Sequence, residues 1–229
     1  MSAPGTPPVA TQSLKGETTV EEPDRGGRAI ARRSAEIRAT IPDLELSVDV
    51  DAEALLQRAA ADGVSTTAVL IGACAAALRE SPRLNGAYRD GRFELYSRVN
   101  VGIVIQTPAT QVVVTILDAD AKAPAQLEGE LTRLTARARA GELTPPEQAG
   151  ATFTVSDLGE SGIHRGAGLV IPSQAATLTA GAIRAVPVVR DGTVVAGHQL
   201  TLTLTSDHRI VFGTHATGFL GRVAELVQT

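Results

Sequence analysis

The chain has 229 residues, 43% of them hydrophobic and 20% charged, and its formal net charge is −4. That length and composition allow a sizeable hydrophobic core, in one large domain or two small ones. The acidic balance argues against a nucleic-acid partner, because a phosphate-binding surface needs clustered Lys and Arg. The one cysteine, Cys74, excludes an intrachain disulfide framework and a multi-cysteine zinc site, and its apolar neighbours predict a core position.

The first residues of the chain predict a tail. Residues 1–24 are rich in Pro, Ala, Gly, Thr and Glu and have no hydrophobic period, so they cannot offset the entropy lost on ordering. We therefore expect a disordered tail at 1–24 and one folded domain at 25–229. No apolar run approaches the roughly 18 residues of a membrane span, and the N-terminus lacks a basic region followed by an apolar one. These patterns predict a cytoplasmic protein with no membrane partner.

In the first half of the chain, helical periodicity alternates with strand patterns. Ile30, Ser34 and Ile37 fall on one face of a helix that Pro42 ends, and Asp51 stands where it can cap the next helix. The predicted elements are a helix at 29–38, a strand at 44–50, helices at 51–61 and 65–78, and strands at 93–97, 99–106 and 112–117.

The second half adds an amphipathic helix, three strand regions and a last helix. Leu127, Leu131 and Leu134 recur at helical spacing, and Gly141 ends that helix. The predicted elements are a helix at 123–140, strands at 151–156, 176–189 with internal breaks and 194–205, and a helix at 213–228. Because helices and strands do not alternate regularly, the sequence predicts an α+β fold. A doubly wound nucleotide-binding fold is disfavoured, since no GxGxxG or GxxxxGK[ST] stands between a strand and a helix.

His208 is the most informative of the four histidines. It follows the alternating segment 200–205, and so lies at the end of a predicted buried strand. An imidazole with an unperturbed pKa of about 6.5 exchanges a proton near neutral pH, so His208 is predicted to be a general base. The histidines are too scattered to predict a metal site, and HExxH is absent.

The motifs around His208 resemble those of a known family. Asp207-His208-Arg209-x-x-x-Gly213 at a strand-to-helix junction, together with the run Thr152-Phe-Thr-Val-Ser-Asp-Leu-Gly159, resembles the catalytic domain of the dihydrolipoyl acyltransferases of 2-oxoacid dehydrogenase complexes. That family shares a superfamily with chloramphenicol acetyltransferase. The resemblance covers nearly everything from Arg28 to Val227. It implies a chloramphenicol acetyltransferase-like fold, with a mixed β-sheet flanked by helices, that forms trimers.

The resemblance also implies roles for individual residues. His208 would take the proton from a thiol of coenzyme A or dihydrolipoamide, and the thiolate would attack an acyl thioester. Ser156, which precedes His208 by 52 residues, would donate a hydrogen bond to the oxyanion of the tetrahedral intermediate. Asp207, Arg209 and Gly213 complete the motif as supporting residues.

Several positions depart from the family pattern. The family has Asp or Asn where this chain has Phe212, and a phenyl ring can neither donate nor accept an ordinary hydrogen bond. Ser34 replaces a usual Met, Pro42-Asp43 replaces a common Pro-His, and the run Thr110-Gln-Val-Val-Val-Thr115 lacks the family's proline. This altered set indicates a different acyl group or acceptor, or drift after loss of activity.

The resemblance implies a site shared between subunits. His comes from one subunit and Ser from the next, so a homotrimer is expected; the family also builds larger shells of trimers. Lipoyl and partner-binding domains do not fit into the first 24 residues, and Asp118-Ala-Asp-Ala-Lys122 leads into a helix and is not a lipoyl hairpin. Any lipoyl group would therefore arrive on another chain, a lipoyl-bearing protein.

Two interpretations compete with a coenzyme A-dependent acyltransferase. One is a trimeric scaffold that keeps the fold without efficient catalysis, with Phe212 as the visible change. The other is a repurposed enzyme that uses the same base on a different acceptor. The presence of both His208 and Ser156 favours an enzyme.

Overall fold

The computed structural model describes residues 15–107 and 110–229. The chain divides into two compact units, Met1–Ala35 and Glu36–Thr229. In the first unit, residues 15–24 are exposed and carry no helix or strand, and helix α1 begins at Arg25. The remainder of the predicted tail, residues 1–14, lies outside the described residues.

Five α-helices are present in the described ranges, and all five correspond to predicted helices. They are α1 (Arg25–Thr40), α2 (Glu53–Asp62), α3 (Thr66–Glu80), α4 (Pro124–Ala140) and α5 (Gly213–Val227).

The described strands number nine. They are β1 (Asp43–Asp51), β2 (Gly86–Arg89), β3 (Arg92–Leu95), β4 (Val101–Gln106), β5 (Gln111–Ile116), β6 (Phe153–Asp157), β7 (Ala176–Ala180), β8 (Arg184–Arg190) and β9 (Thr193–Asp207).

Helix ends follow the capping signals in part. The Ser65 side chain accepts a hydrogen bond from the Ala68 backbone N–H and begins α3. The prediction for Asp51 was wrong by one position, since Ala52 occupies the N-cap of α2. Asp51 still accepts the Glu53 N–H at 2.9 Å. Ile30 is 53% exposed and does not join a buried face of α1, whereas Ile37 is buried.

Seven strands form one mixed sheet, which confirms the α+β prediction. The order is β1-β9-β7-β6-β4-β5, and β8 pairs with the first half of β9. β6 is parallel to β4 and β7, and the remaining pairs are antiparallel. β4 lies next to the edge strand β5. β2 and β3 form a separate hairpin whose turn residues Asp90 and Gly91 both have positive φ, the backbone that a two-residue hairpin turn requires.

The two faces of this sheet differ in chemistry. One face is apolar and joins the helices in the main core, where α3 is the most completely buried helix. The other face carries a row of threonines that are nevertheless buried: Thr154, Thr177, Thr179, Thr201, Thr203 and Thr205. The loop after β6 covers part of this row, since Thr177 Oγ1 donates to the Leu169 carbonyl at 3.1 Å. Strict alternation in β7 and β9 produces this division.

Cys74 is fully buried in α3, as predicted, and burial raises the pKa of its thiol. No single helix in the described ranges is long and apolar enough to cross a membrane. The helices α2 and α3 meet the length and composition criteria only as a joined pair, which bends by 107° at its break.

Candidate active site

His208 lies in a tight turn between β9 and α5. The strand ends at Asp207, so His208 is the first residue beyond the strand, and its side chain is exposed. Its backbone N–H donates to the Pro42 carbonyl at 2.9 Å. The Asp207 carbonyl accepts the N–H groups of Ile210 and Val211 at 3.1 and 2.9 Å. These bonds fix the backbone of the turn and leave the imidazole facing outward.

Asp207 and Arg209 form the ion pair at the base of this turn. Asp207 is only 2% exposed, and its two carboxylate oxygens accept from Arg209 Nε at 2.9 Å and Nη2 at 2.7 Å. The Arg209 backbone N–H also donates to Asp207 Oδ1. This bonding raises the pKa of the Arg209 guanidinium. The guanidinium lies 4.7 Å from the ring centre of Tyr88, so the hairpin supports the pair from the other side.

Phe212 joins His208 to a small aromatic group. Its ring is 43% exposed and lies 6.2 Å from the His208 ring in an edge-on arrangement. The His215 ring lies 5.6 Å from it, and His215 Nδ1 accepts the Phe212 N–H at 3.3 Å. The Arg83 guanidinium lies 5.4 Å from the Phe212 ring and 4.4 Å from that of Phe93. An aromatic contact with a cation thus stands where the resemblance predicts a polar side chain.

Ser156 lies near the end of β6, on the threonine face of the sheet. Its side chain is half-buried, and its hydroxyl makes no hydrogen bond with any residue in 15–107 or 110–229. The next residue, Asp157, accepts from Thr67 Oγ1 at 2.6 Å and from the Gly159 N–H at 2.7 Å. Those bonds attach the end of β6 to the start of α3 and so fix the backbone at Ser156. The Ser156 hydroxyl remains free to bind a ligand.

The fold does not bring Ser156 and His208 together within one chain. Ser156 is opposite Thr179 of β7, which is opposite Thr203 of β9, four residues before Asp207. Two strand spacings and four residues of rise separate the Ser156 and Asp207 backbones by roughly 16 Å.

The remaining predicted residues differ in how the structure treats them. Gly213 begins α5, and a Cβ at this position would meet no atom within 4 Å, so packing does not require glycine there. Arg83 was missed, because a basic residue after Pro82 gives no signal of a contact with Phe212, which is 129 positions away along the chain.

Comparisons with known proteins identify the class of fold. The structure superposes on chloramphenicol acetyltransferase with a TM-score of 0.55 at 18% identity, covering 86% of this chain and 94% of that one. This confirms the predicted fold class. The sequence model of the family described as 2-oxoacid dehydrogenases acyltransferase (catalytic domain) matches residues 15–229. The chain belongs to this acyltransferase family.

A curated relative and a solved structure agree with this assignment. The chain is 30% identical to the dihydrolipoyllysine-residue acetyltransferase component of the pyruvate dehydrogenase complex of Zymomonas mobilis over 241 residues, covering 99% of this chain and 55% of the relative. The chain thus spans about half the length of that protein. The dihydrolipoamide acetyltransferase of Azotobacter vinelandii superposes with a TM-score of 0.86 at 26% identity, covering 99% of this chain and 97% of that one.

The Azotobacter structure belongs to a study of the roles of a serine, a histidine and an asparagine in the catalytic mechanism of that enzyme. In its numbering the histidine follows the serine by 52 positions, and the asparagine follows the histidine by four. Ser156, His208 and Phe212 have the same two spacings in this chain. By spacing, Phe212 stands in the place of the asparagine.

Proposed function

We propose that this protein transfers an acyl group between the thiols of dihydrolipoamide and coenzyme A, with His208 as general base and Ser156 as oxyanion donor. The observation that carries the proposal is the pair of uncommitted polar groups, the exposed His208 imidazole and the unbonded Ser156 hydroxyl. Both stand on fixed backbone, and they have the serine-to-histidine spacing of the Azotobacter enzyme.

The chemistry begins with the thiol. A thiol with a pKa near 8.5 is only a few per cent ionised at neutral pH, so a positioned imidazole speeds formation of the thiolate. His208 takes the thiol proton as the sulfur attacks the carbonyl carbon of the acyl thioester. The Ser156 hydroxyl donates to the oxyanion of the tetrahedral intermediate. The intermediate then expels the sulfur that originally carried the acyl group. It leaves as a thiolate and takes the proton back from His208.

The site is proposed to form between two copies of the chain. Ser156 and His208 are separated by two strand spacings and several residues along the strands in one chain. Pairing the serine of one protomer with the histidine of the next around a closed ring gives as many sites as protomers, and a homotrimer is the ring we propose. The lipoyl substrate is supplied by another chain.

Mixing two inactive variants tests both the roles and the shared site. We expect His208→Ala to lower kcat by about 10²- to 10⁴-fold and Ser156→Ala by about 10²- to 10³-fold, measured with an acyl-coenzyme A and dihydrolipoamide. Refolding equal amounts of the two variants together should restore activity, because some interfaces then carry both an intact histidine and an intact serine. If protomers mix at random, about a quarter of the interfaces are intact, so activity reaches at most about a quarter of the wild-type value.

The same experiment contains the results that contradict the proposal. If mixing restores no activity, the two residues either act within one protomer or do not act in the same site. Light scattering of the wild-type protein measures the mass of the assembly, and a monomer would rule out a shared site. Unchanged activity of His208→Ala would remove the general base.

Phe212 favours a second candidate, a trimeric scaffold of the same fold without efficient catalysis. Its ring cannot supply the hydrogen bond of an asparagine or aspartate at this position. Calorimetry with coenzyme A separates the candidates, because a scaffold has no need to bind it. Binding without transfer to dihydrolipoamide would favour a repurposed enzyme that uses another acceptor.

A further inference from the structure

Arg83 is a half-buried cation beside the proposed active site that no acidic side chain in the described ranges neutralises. It follows α3, and its guanidinium lies over the rings of Phe93 and Phe212, 4.4 and 5.4 Å from their centres. Its one hydrogen bond to described residues is a long one, from Nη1 to the Ile210 carbonyl at 3.3 Å. Most of its N–H groups are therefore available to a ligand.

The surroundings of Arg83 leave its charge uncompensated. The acidic group in this turn, Asp207, is already bound at two points by Arg209. Phe212, which stands where an asparagine or aspartate would offer an oxygen, offers only a ring face. The two aromatic contacts supply no hydrogen-bond acceptor, so they leave most of the guanidinium N–H groups able to pair with a planar anion.

We propose that Arg83 binds the terminal carboxylate of a dicarboxylic acyl group whose thioester reacts at His208. This assignment rests on the proposed function and names its substrate class. The attacking thiol must lie beside the His208 imidazole to give up its proton, and the thioester carbonyl carbon must lie next to the sulfur of that thiol. The carboxylate of a short dicarboxylic acyl chain then extends past Phe212 to the guanidinium edge, as a bidentate carboxylate pair.

Distance favours a carboxylate over the phosphates of coenzyme A. The Phe212 ring lies 6.2 Å from the His208 ring and 5.4 Å from the Arg83 guanidinium. These two distances together set an upper limit on the separation of His208 and Arg83. The pantetheine arm places two amide-linked segments between the sulfur and the first phosphate. A succinyl chain places only two methylene groups between its thioester carbonyl and its carboxylate. Its length therefore fits the separation of His208 and Arg83 better than the pantetheine arm does.

Matched thioesters test the assignment. Succinyl- and butyryl-coenzyme A have the same chain length and differ in the terminal carboxylate. We expect Arg83→Gln to lower kcat/KM for succinyl transfer by about tenfold or more, the effect of one lost charge-assisted contact, and to change butyryl transfer by less than about twofold. Arg92→Gln removes the same charge from the exposed start of β3 and serves as the control. Arg83→Lys keeps the charge but loses the planar fork, so it should give an intermediate loss for succinyl transfer alone.

The outcomes distinguish failure of the Arg83 carboxylate site from failure of the proposed acyl transfer. Equal losses for both thioesters, or weaker binding of coenzyme A itself by calorimetry, would assign Arg83 to the phosphates or to loop structure and overturn the carboxylate site. If neither thioester is transferred, the proposed function fails, yet calorimetry of both thioesters still decides the subsite. Tighter binding of succinyl- than of butyryl-coenzyme A that Arg83→Gln abolishes would support it.

Discussion

The carboxylate of Asp207 binds the guanidinium of Arg209 at two points, and His208 lies between these two residues in the sequence. Asp207 is almost wholly buried, whereas the Arg209 side chain is 31% exposed. Removing the acid therefore leaves a partly solvated cation whose neighbours are arranged for a pair. The pair is a structural element of the turn, and its loss should be visible in stability as well as in activity.

We expect Asp207→Asn to lower the free energy of unfolding by about 2 to 3 kcal/mol. This is less than the loss of about 3 to 5 kcal/mol for fully buried pairs, because Arg209 is partly exposed. Asp118→Asn breaks the exposed pair with Arg98 and should change stability little. Urea denaturation measures both variants. Equal effects in the two would show that burial of Asp207 does not determine the value of its pair.

Phe212 occupies the N-cap of α5 with φ −82° and ψ 165° and supplies no side-chain cap. Asparagine is among the best N-cap residues, so Phe212→Asn should be more stable than Phe212→Ala by about 1 kcal/mol. Both variants lose the ring contacts with Arg83 and His208, so their difference isolates the cap. Chemical denaturation of both variants gives this difference. Identical stabilities would mean that the asparagine side chain does not cap the helix.

Glu147 should make stability depend on pH in the acidic range. Hydrogen bonds from the Thr144 backbone N–H, the Arg133 guanidinium and the Thr144 hydroxyl lower its pKa from 4.5 to about 2. A lowered pKa stabilises the fold above pH 4.5, and that contribution disappears as the pH falls toward 2. Glu147→Gln should therefore lower Tm at pH 7, and the difference from wild type should shrink between pH 4.5 and 2. A constant difference across this range would contradict the assignment.

Gly181 lies against the backbone of His164, where an added Cβ would overlap the carbonyl oxygen. Gly181→Ala should therefore destabilise the fold by about 1 to 3 kcal/mol, as overpacked positions do. Gly129 lies on the exposed side of α4, and a Cβ added there would meet no atom within 4 Å. Gly129→Ala should stabilise by about 0.5 to 1 kcal/mol through helix propensity. Thermal unfolding of the two variants should give shifts of opposite sign.

The sequence predicted the elements well because their patterns are local. The alternation of Leu200, Leu202 and Leu204 marks β9, and the spacing of Leu127 and Leu131 marks α4; both patterns are complete within a few residues. Helix-end details were less accurate, as with Asp51, because neighbouring positions can satisfy the same backbone N–H groups. Sheet order was not predictable, since strand pairing depends on contacts distant in sequence.

The sequence motifs propose a pair of residues for the candidate site but do not give their arrangement. His208 and Ser156 were identified from motifs, yet their separation within one chain follows from the register of β6, β7 and β9. The contacts of Arg83 with the Phe93 and Phe212 rings depend on where the hairpin packs against the turn after β9. No local pattern encodes these contacts.

Cys74 gives the protein a single internal reporter of its own opening. It is the chain's one thiol, it is fully buried in α3, and burial raises its pKa, so a thiol reagent reaches it only when the core opens. The labelling rate of the unmodified protein therefore measures how often the core around α3 opens. Comparing that rate with and without an acyl-coenzyme A would show whether ligand binding at the turn of His208 changes how often the core opens.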